Sequence, residues 1–348
     1  MKGLYRFEYL HEIDEIGESR WNMLLGKDMT YFQSWHWCQL CSHRGLKKSR
    51  YWRTVYALVY RDNELIMIAP FWILKKNFRY LKKSGCYFAN ETIGWNDYSN
   101  FIYKIFDGNA LDALLREISG KWNVRDFYFN KIIEDTASYE WLQSSKLISS
   151  DKTTPSVRLY LPESFEQYYG GLTKNARQNL RTARNRIIKD GKLLKIIHDD
   201  VHIDKDKCAF LRRARVVKKN KQQDFKLRLY LKLRDLFAIK PPFWLPTKVD
   251  NHTHFLSAYI DDNLCAFFGY VSDENNKTIS VMNVGIDDKY ARYSPGMLAM
   301  YSLVQSRYED DSIRGFDMID FTLGAEKYKY ALGGVTMPVH HLKLKMLL

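Results

Sequence analysis

Four side chains that can move protons or hold charge lie within ten residues near the end of the chain: Asp320, Glu326, Tyr328 and Lys329. A carboxylate, Asp320 or Glu326, can accept the proton that an amine sheds on becoming a nucleophile, and the Tyr328 phenol can return one to a leaving group. Lys329 can hold an anionic part of an acceptor or serve as a carboxylate partner. This set suits acyl transfer from a thioester to an amine, where the amine loses a proton, the carbonyl oxygen gains charge and the thiolate is reprotonated. The same residues have a structural reading, with Asp320 capping the turn before a last helix and Tyr328 packed in a core.

Residues upstream must position such a site. Thr278 to Gly285 is β-branched and partly alternating, which predicts a strand. Tyr290 to Gly296 is a turn that opens onto an apolar-periodic helix, Met297 to Tyr308. A helix that starts at such a turn presents unpaired backbone N–H groups and a positive dipole end, and Arg292 adds a cation, so a phosphate would be stabilised there. A further strand, Gly315 to Leu323, then delivers the titratable cluster beyond its C-terminal end.

Elsewhere the pattern alternates helices and hairpins. In the first half a helix around Phe32 to Leu40 precedes Tyr51 to Tyr60, a turn at Arg61 to Glu64 and a strand at Leu65 to Leu74; helix Ala110 to Ile118 and strand Arg125 to Asn130 follow. The polar stretch Ser144 to Pro155 is read as a junction. The second half has strands at Phe255 to Ile260 and Leu264 to Val271, joined by a turn at Asp261 to Asn263. The expectation is an α/β protein with mixed (α+β) sheets in two domains, 1–154 and 155–348, the second carrying a basic helical insertion at about 163–240 and the donor site.

At 348 residues, 46% hydrophobic and 15% aromatic, the chain has enough apolar surface for two cores, which excludes a disordered class. Its N-terminus is interrupted by charge, and its longest apolar run, Leu65 to Leu74, is too short to span a bilayer. Five irregularly spaced cysteines make no disulfide framework. A cytoplasmic protein, or one peripheral to the inner membrane face, is expected.

The net charge of +14 is concentrated. From Lys174 to Lys195 eight cations oppose the single acid Asp190, and a second basic block runs from Arg212 to Lys221. Thr173 is a plausible N-cap and Gly191 an end for a helix whose residues Ala176, Leu180, Ala183 and Ile187 form one buried stripe. The Lys174–Lys221 region is either a solvated basic surface or a patch for a polyanion: tRNA, a phosphate-linked sugar or an anionic membrane surface. Stacking aromatics are not interleaved, so specific DNA binding is not expected.

The motifs Phe32-Gln-Ser-Trp-His-Trp37, Tyr290-Ala-Arg-Tyr-Ser-Pro-Gly-Met-Leu298 and Asp320-Phe-Thr-Leu-Gly-Ala-Glu-Lys-Tyr-Lys329, with weaker echoes at Asn96-Asp-Tyr98 and Leu161-Pro-Glu-Ser-Phe-Glu166, resemble one family. It is the GNAT-superfamily acyltransferases of the cellulose- and exopolysaccharide-biosynthesis acetyltransferase type, related to Fem-type aminoacyltransferases. The resemblance implies tandem GNAT-like acyl-CoA N-acyltransferase domains, with acetyl-CoA or another acyl-CoA as donor and a small-molecule amine or sugar-linked acceptor. It implies a thioester carbonyl against a main-chain N–H among Asn283, Val284, Gly285 and Ile286, with Gly285 permitting a bulge, and a pyrophosphate at Arg292, Ser294, Gly296 and Met297. The superfamily's phosphate loop appears here with a single glycine, Arg292-Tyr-Ser-Pro-Gly296-Met297. Together with the basic region, this keeps open a Fem-type aminoacyl-tRNA donor; a non-catalytic envelope-assembly protein of the same fold is the third reading.

Other constellations are weaker. Cys38 and Cys41, flanked by His36 and His43, have the spacing of half a zinc site and lack a second pair, so no metal is expected. His252-Thr-His254 and His340-His341 read as surface or packing histidines. Trp35, Trp37, Trp95 and Tyr98 could stack on a sugar ring, but their spacing suits a core. Neither a Gly-x-Ser-x-Gly elbow nor a Walker loop occurs.

Overall fold

The apolar runs become strands and the periodic segments become helices in two units that share a plan. A computed structural model describes residues 4–44, 52–75, 83–92, 96–220, 252–309 and 315–346. The chain divides into one unit formed by Met1–Ser156 with Met337–Leu348, and another formed by Val157–Thr336.

In the first unit the strands are β1 (Tyr5–Leu10), β2 (Trp52–Arg61), β3 (Glu64–Leu74), β4 (Gly85–Phe88), β5 (Asp126–Ile133), β6 (Ile148–Tyr160, which continues past the division) and β12 (Val335–Lys345). They are ordered β1-β2-β3-β4-β5-β12-β6. Helices α1 (Glu18–Asn22), α2 (Trp35–Arg44), α3 (Gly108–Trp122) and α4 (Ala137–Ser144) accompany them. The β2/β3 hairpin turns at Asp62 and Asn63, both with positive φ, the conformation that short Asx side chains tolerate.

The second unit contains β7 (Leu194–Ile197), β8 (Thr253–Ile260), β9 (Asn263–Asp273), β10 (Thr278–Ile286) and β11 (Met318–Leu323), with α5 (Phe165–Gly171), α6 (Lys174–Lys189), α7 (Lys205–Asn220), α8 (Pro295–Glu309) and α9 (Lys327–Ala331). Its strand order is β6-β11-β10-β9-β8-β7. The β8/β9 hairpin again turns on two left-handed aspartates, Asp261 and Asp262. Thr173 caps α6, its side chain accepting from Ala176 N at 3.2 Å, and Gly191 follows with φ +62°. The predicted stripe of Ala176, Leu180, Ala183 and Ile187 is buried. One core lies where α6 and α8 meet the sheet of this unit. A smaller one on α7, built from Cys208 and Leu211, meets Phe255 and Phe267.

The polar stretch Ser144–Pro155, read as a junction, runs up to the division between Ser156 and Val157, and it does so as regular structure. It ends α4 and forms most of β6, with some of its side chains bonded to β12. Ser149 Oγ donates to Lys343 O at 3.0 Å, Ser156 Oγ to Met337 O at 3.0 Å, and Asp151 pairs with buried His340 at 2.8 Å.

The early motifs lie inside the first unit. Trp37 Nε1 donates to Asn96 Oδ1 at 3.0 Å, and Gln33 Nε2 to Tyr98 O at 3.1 Å. Trp35, Trp37 and Tyr98 are buried core, not a sugar-stacking surface; Trp95 lies outside the described residues. All five cysteines are buried, and none forms a disulfide among the described residues. No helix among the described residues is long and apolar enough to cross a membrane.

Candidate active site

The site grows from a parallel strand pair of the second unit. β10 and β11 pair at Thr278↔Met318, Ile279↔Ile319 and Ser280↔Asp320, and there the ladder ends although both strands run on. Beyond Ser280, among the described residues, β10 is paired only with β9. Three local features mark the end of the ladder. Thr322 sits at φ +56°, a left-handed conformation that costs a β-branched residue about 1–2 kcal/mol. Its hydroxyl donates to Val281 O at 2.9 Å, and its N–H donates to Asp320 Oδ1 at 2.7 Å. Asp320 in turn receives Arg158 Nε at 3.0 Å in a buried ion pair.

On the β9 side, β10 carries a bulge between Val281 and Asn283. The expectation of a bulge at Gly285 is thereby corrected: Gly285 pairs regularly with Phe267 and is a glycine for a different reason. A Cβ there would lie 2.2 Å from the Phe267 ring and 2.9 Å from Leu211 Cβ, so the missing side chain lets α7 and Phe267 close over the strand. Val284 and Ile286 join the core against α8, and Asn283 Oδ1 is buried without a hydrogen-bond partner among the described residues.

After β10 the chain makes a short 3-10 helix, Asp288–Tyr293, then left-handed Ser294, and enters α8 at Pro295. Ser294 O accepts from Met297 N at 3.0 Å and Leu298 N at 3.1 Å, which starts the helix. Gly296 packs against Ile286, whose Cδ1 lies 2.9 Å from where a Cβ would be. Arg292 is not a lone cation. It pairs with Asp190 Oδ2 at 2.9 Å, Tyr293 OH donates to the same oxygen at 2.7 Å, and Arg186 Nη1 donates to Arg292 O at 3.0 Å. The only acid of the basic stretch thus fixes the turn, and Arg292 remains 60% exposed.

Beyond β11 the structure brings Glu326, Tyr328 and Lys329 together and assigns Asp320 elsewhere. Glu326 Oε1 accepts from Arg215 Nη2 at 2.8 Å, and Oε2 lies 3.0 Å from Lys329 Nζ. The buried Lys329 ammonium also donates to the carbonyls of Thr322 (3.3 Å), Leu323 (3.1 Å) and Gly324 (2.9 Å). An ammonium has three N–H donors, so these contacts occupy it. Lys329 is the carboxylate's partner and the anchor of the strand end, not a holder of acceptor phosphate. Asp320 is likewise bound to Arg158 and the Thr322 amide; it neither caps the turn before α9 nor stands free as a base. Tyr328 packs on Phe268 and Phe321, and burial pushes its phenol well above the ordinary tyrosine range, only partly offset by Arg215. It is therefore protonated at neutral pH and able to donate.

Sequence reasoning missed Arg158, Arg215 and Thr322. Arg215 belonged to the second basic block, but its side chain is only 29% exposed. Lys207 pairs with Asp287 at 3.3 Å, Arg215 with Glu326, and Lys218 with Asp288 at 2.9 Å. With Leu211 these follow helical spacing, so one face of α7 is tied to the acids that end β10 and follow β11. Lys221, and the part of the expected insertion at 221–240, lie outside the described residues. Arg158 and Thr322 carry no sequence signal. Among the described residues no group of His, Cys, Asp or Glu is arranged to hold a metal.

This geometry belongs to a known class of domain. Residues 174–330 match the family model of an acetyltransferase (GNAT) domain, which falls within the second unit. This match supports an acyltransferase of that type. No curated protein matches the chain. Among solved structures it is similar over 97% of both chains to the crystal structure of FemX (10% identity, TM-score 0.57). It is similar over 98% of both chains to a tandem GNAT protein from the clavulanic acid biosynthesis pathway (9%, TM-score 0.53). A conserved protein of unknown function from Bacteroides thetaiotaomicron VPI-5482 is similar over 98% of this chain and 100% of that one (10%, TM-score 0.50). At these identities the likenesses establish the fold: mixed α/β in the tandem GNAT arrangement.

Proposed function

We propose that the chain is an N-acyltransferase that moves an acyl group, by default acetyl, from acyl-CoA to an amine on an amino sugar or on a cell-envelope or exopolysaccharide precursor. The observation that carries this reading is the early end of the β10/β11 ladder, which leaves the backbone of Asn283–Ile286 without a strand partner on one side. A thioester arm there would meet main-chain N–H groups as its carbonyl oxygen gains charge. The start of α8, with Arg292, Ser294, Gly296 and Met297, is suited to a pyrophosphate. The orphaned Asn283 oxygen and the tight packing at Gly285 and Gly296 fit a slot shaped for a narrow chain carrying amide N–H groups.

In this reading the amine attacks the thioester carbonyl and loses its proton to Glu326, directly or through a water, while Arg215 and Lys329 hold the carboxylate in place. Collapse of the tetrahedral intermediate expels the thiolate, and Tyr328 supplies its proton. Asp320 and Lys329 act by holding the slot open. A metal plays no part in this scheme.

A second reading has an observation of its own. Lys174, Arg181 and Lys189 are exposed on α6, and the α8 turn carries one glycine, which suits a donor larger than CoA such as an aminoacyl-tRNA. The deciding experiment is calorimetric titration with acetyl-CoA and CoA, repeated on Arg292→Ala and at raised salt. Micromolar binding that weakens in the variant supports the acyl-CoA donor. Absence of binding moves the reading to tRNA, or to a non-catalytic envelope-assembly role, and a tRNA-binding assay separates those.

A further inference from the structure

The two units contain the same irregularity in corresponding strands. In the first unit β4 and β5 form a parallel pair, and three residues past its last partnered position, Tyr128, the backbone turns left-handed at Lys131 (φ +67°). In the second unit β11 turns left-handed at Thr322, two residues past its last partnered position, Asp320. Lys131 has an evident cause, because it is itself the extra residue of a β5 bulge facing His340 and His341, and its carbonyl is taken by Ser99 N at 2.8 Å. Thr322 is held by side chains instead. Asp320, braced by Arg158, takes its N–H; Val281 O takes its hydroxyl; Lys329 takes its carbonyl. A buried, β-branched, left-handed residue persists only where its surroundings over-determine it, and such residues concentrate at functional sites.

We infer that Thr322 is a positioning residue, a left-handed pivot that bends β11 away from β10 and so keeps the donor slot open. Without the pivot, β11 would continue its extended course and its backbone would pair with Asn283–Ile286, closing the ladder over the slot. This rests on the acyl-CoA reading for what the slot holds, but not for the slot itself.

The test compares Thr322→Gly with Thr322→Val in the full chain. Glycine adopts the left-handed conformation without strain but lacks the hydroxyl; valine keeps the branched shape, resists that conformation and also lacks the hydroxyl. Amide hydrogen exchange is read at residues 283–286, with no ligand present. The expected result is slowed exchange, by about tenfold or more, in Thr322→Val and near wild-type exchange in Thr322→Gly. Acetyl-CoA affinity should fall at least tenfold in the valine variant and stay within about threefold in the glycine variant, at matched urea midpoints. Exchange at 283–286 that is unchanged in Thr322→Val, or slowed equally in Thr322→Gly, overturns the pivot. Should Thr322→Val not fold, Thr322→Ala, which lacks both branch and hydroxyl, takes its place with the same two outcomes. If the wild type binds no acyl-CoA, the donor reading fails while the exchange comparison still decides the pivot.

Discussion

In the first unit the parallel pair β4/β5 covers Cys86↔Phe127 and Tyr87↔Tyr128, and the protein then fills the space beyond with itself. Phe88, Phe101 and Phe129 meet ring to ring at centroid distances of 5.1 to 5.2 Å, and Ile102 bridges to Ile68. In the second unit the pair β10/β11 covers three positions and is followed by Thr322, the Arg158–Asp320 pair, the Lys329 anchor and an unsatisfied Asn283 oxygen. The same strand arrangement thus ends once in core and once in polar machinery. Each buried phenylalanine favours folding by about 1.5–3 kcal/mol. The polar version instead carries a left-handed threonine and a desolvated ion pair, neither of which adds much net stability. A fold that duplicates a slot can use one copy for stability only if the other keeps its strain.

The sharpest way to break this contrast is Tyr328→Phe, which preserves the ring packing on Phe268 and Phe321. It should lower turnover by roughly ten- to ten-thousand-fold with an unchanged urea midpoint, and so should Glu326→Gln; normal rates in both would remove the acid–base assignment. In the filled copy, Phe129→Ala should reverse the pattern. We expect a loss of about 3–5 kcal/mol in denaturant unfolding with acetyl-CoA affinity intact. Weakened affinity at unchanged stability would show that the first unit is not merely core there. Gly285→Ala should cost about 1–3 kcal/mol, because Phe267 and Leu211 already occupy the space of its Cβ; a neutral effect would mean that α7 is not closed over β10.

The smallest effect is one of pH. His341, beside Asn130 in the filled copy, has its pKa lowered, first by burial and then by Lys131 and His340, with Asp151 opposing. A depressed histidine is held neutral by the fold while the unfolded chain takes up the proton, so its contribution is complete above about pH 6.5 and is lost as pH falls below. Urea midpoints measured between pH 7.5 and 5 should fall less steeply in His341→Gln than in the wild type. Parallel slopes would count against this assignment.

Much of the local structure was legible. The Asp-rich hairpin turns, the Thr173 cap, the buried stripe of α6, the strand at 278–286 and the helix after the Ser294 turn all follow from backbone preference and apolar period. These signals lie within a few residues of what they specify. The cluster Glu326, Tyr328 and Lys329 was visible because its members are neighbours in sequence. Its division of labour was legible only in part: Lys329, read as an acceptor's ligand or a carboxylate's partner, pairs with Glu326, whereas Asp320, read as a base or a turn cap, pairs with Arg158.

What the sequence by itself determined, then, is the run of helices and strands, the charge of α6 and the presence of a proton-moving set near the chain's end. Only the tertiary structure decided that Arg158 meets Asp320 across 162 positions, that Arg215 meets Glu326 across 111, that residues 337–346 join the first unit, and that the β10/β11 ladder stops at Ser280↔Asp320. Local preference acts between near neighbours, whereas the partner of a buried charge is set by which strands lie side by side, and no short-range pattern records that.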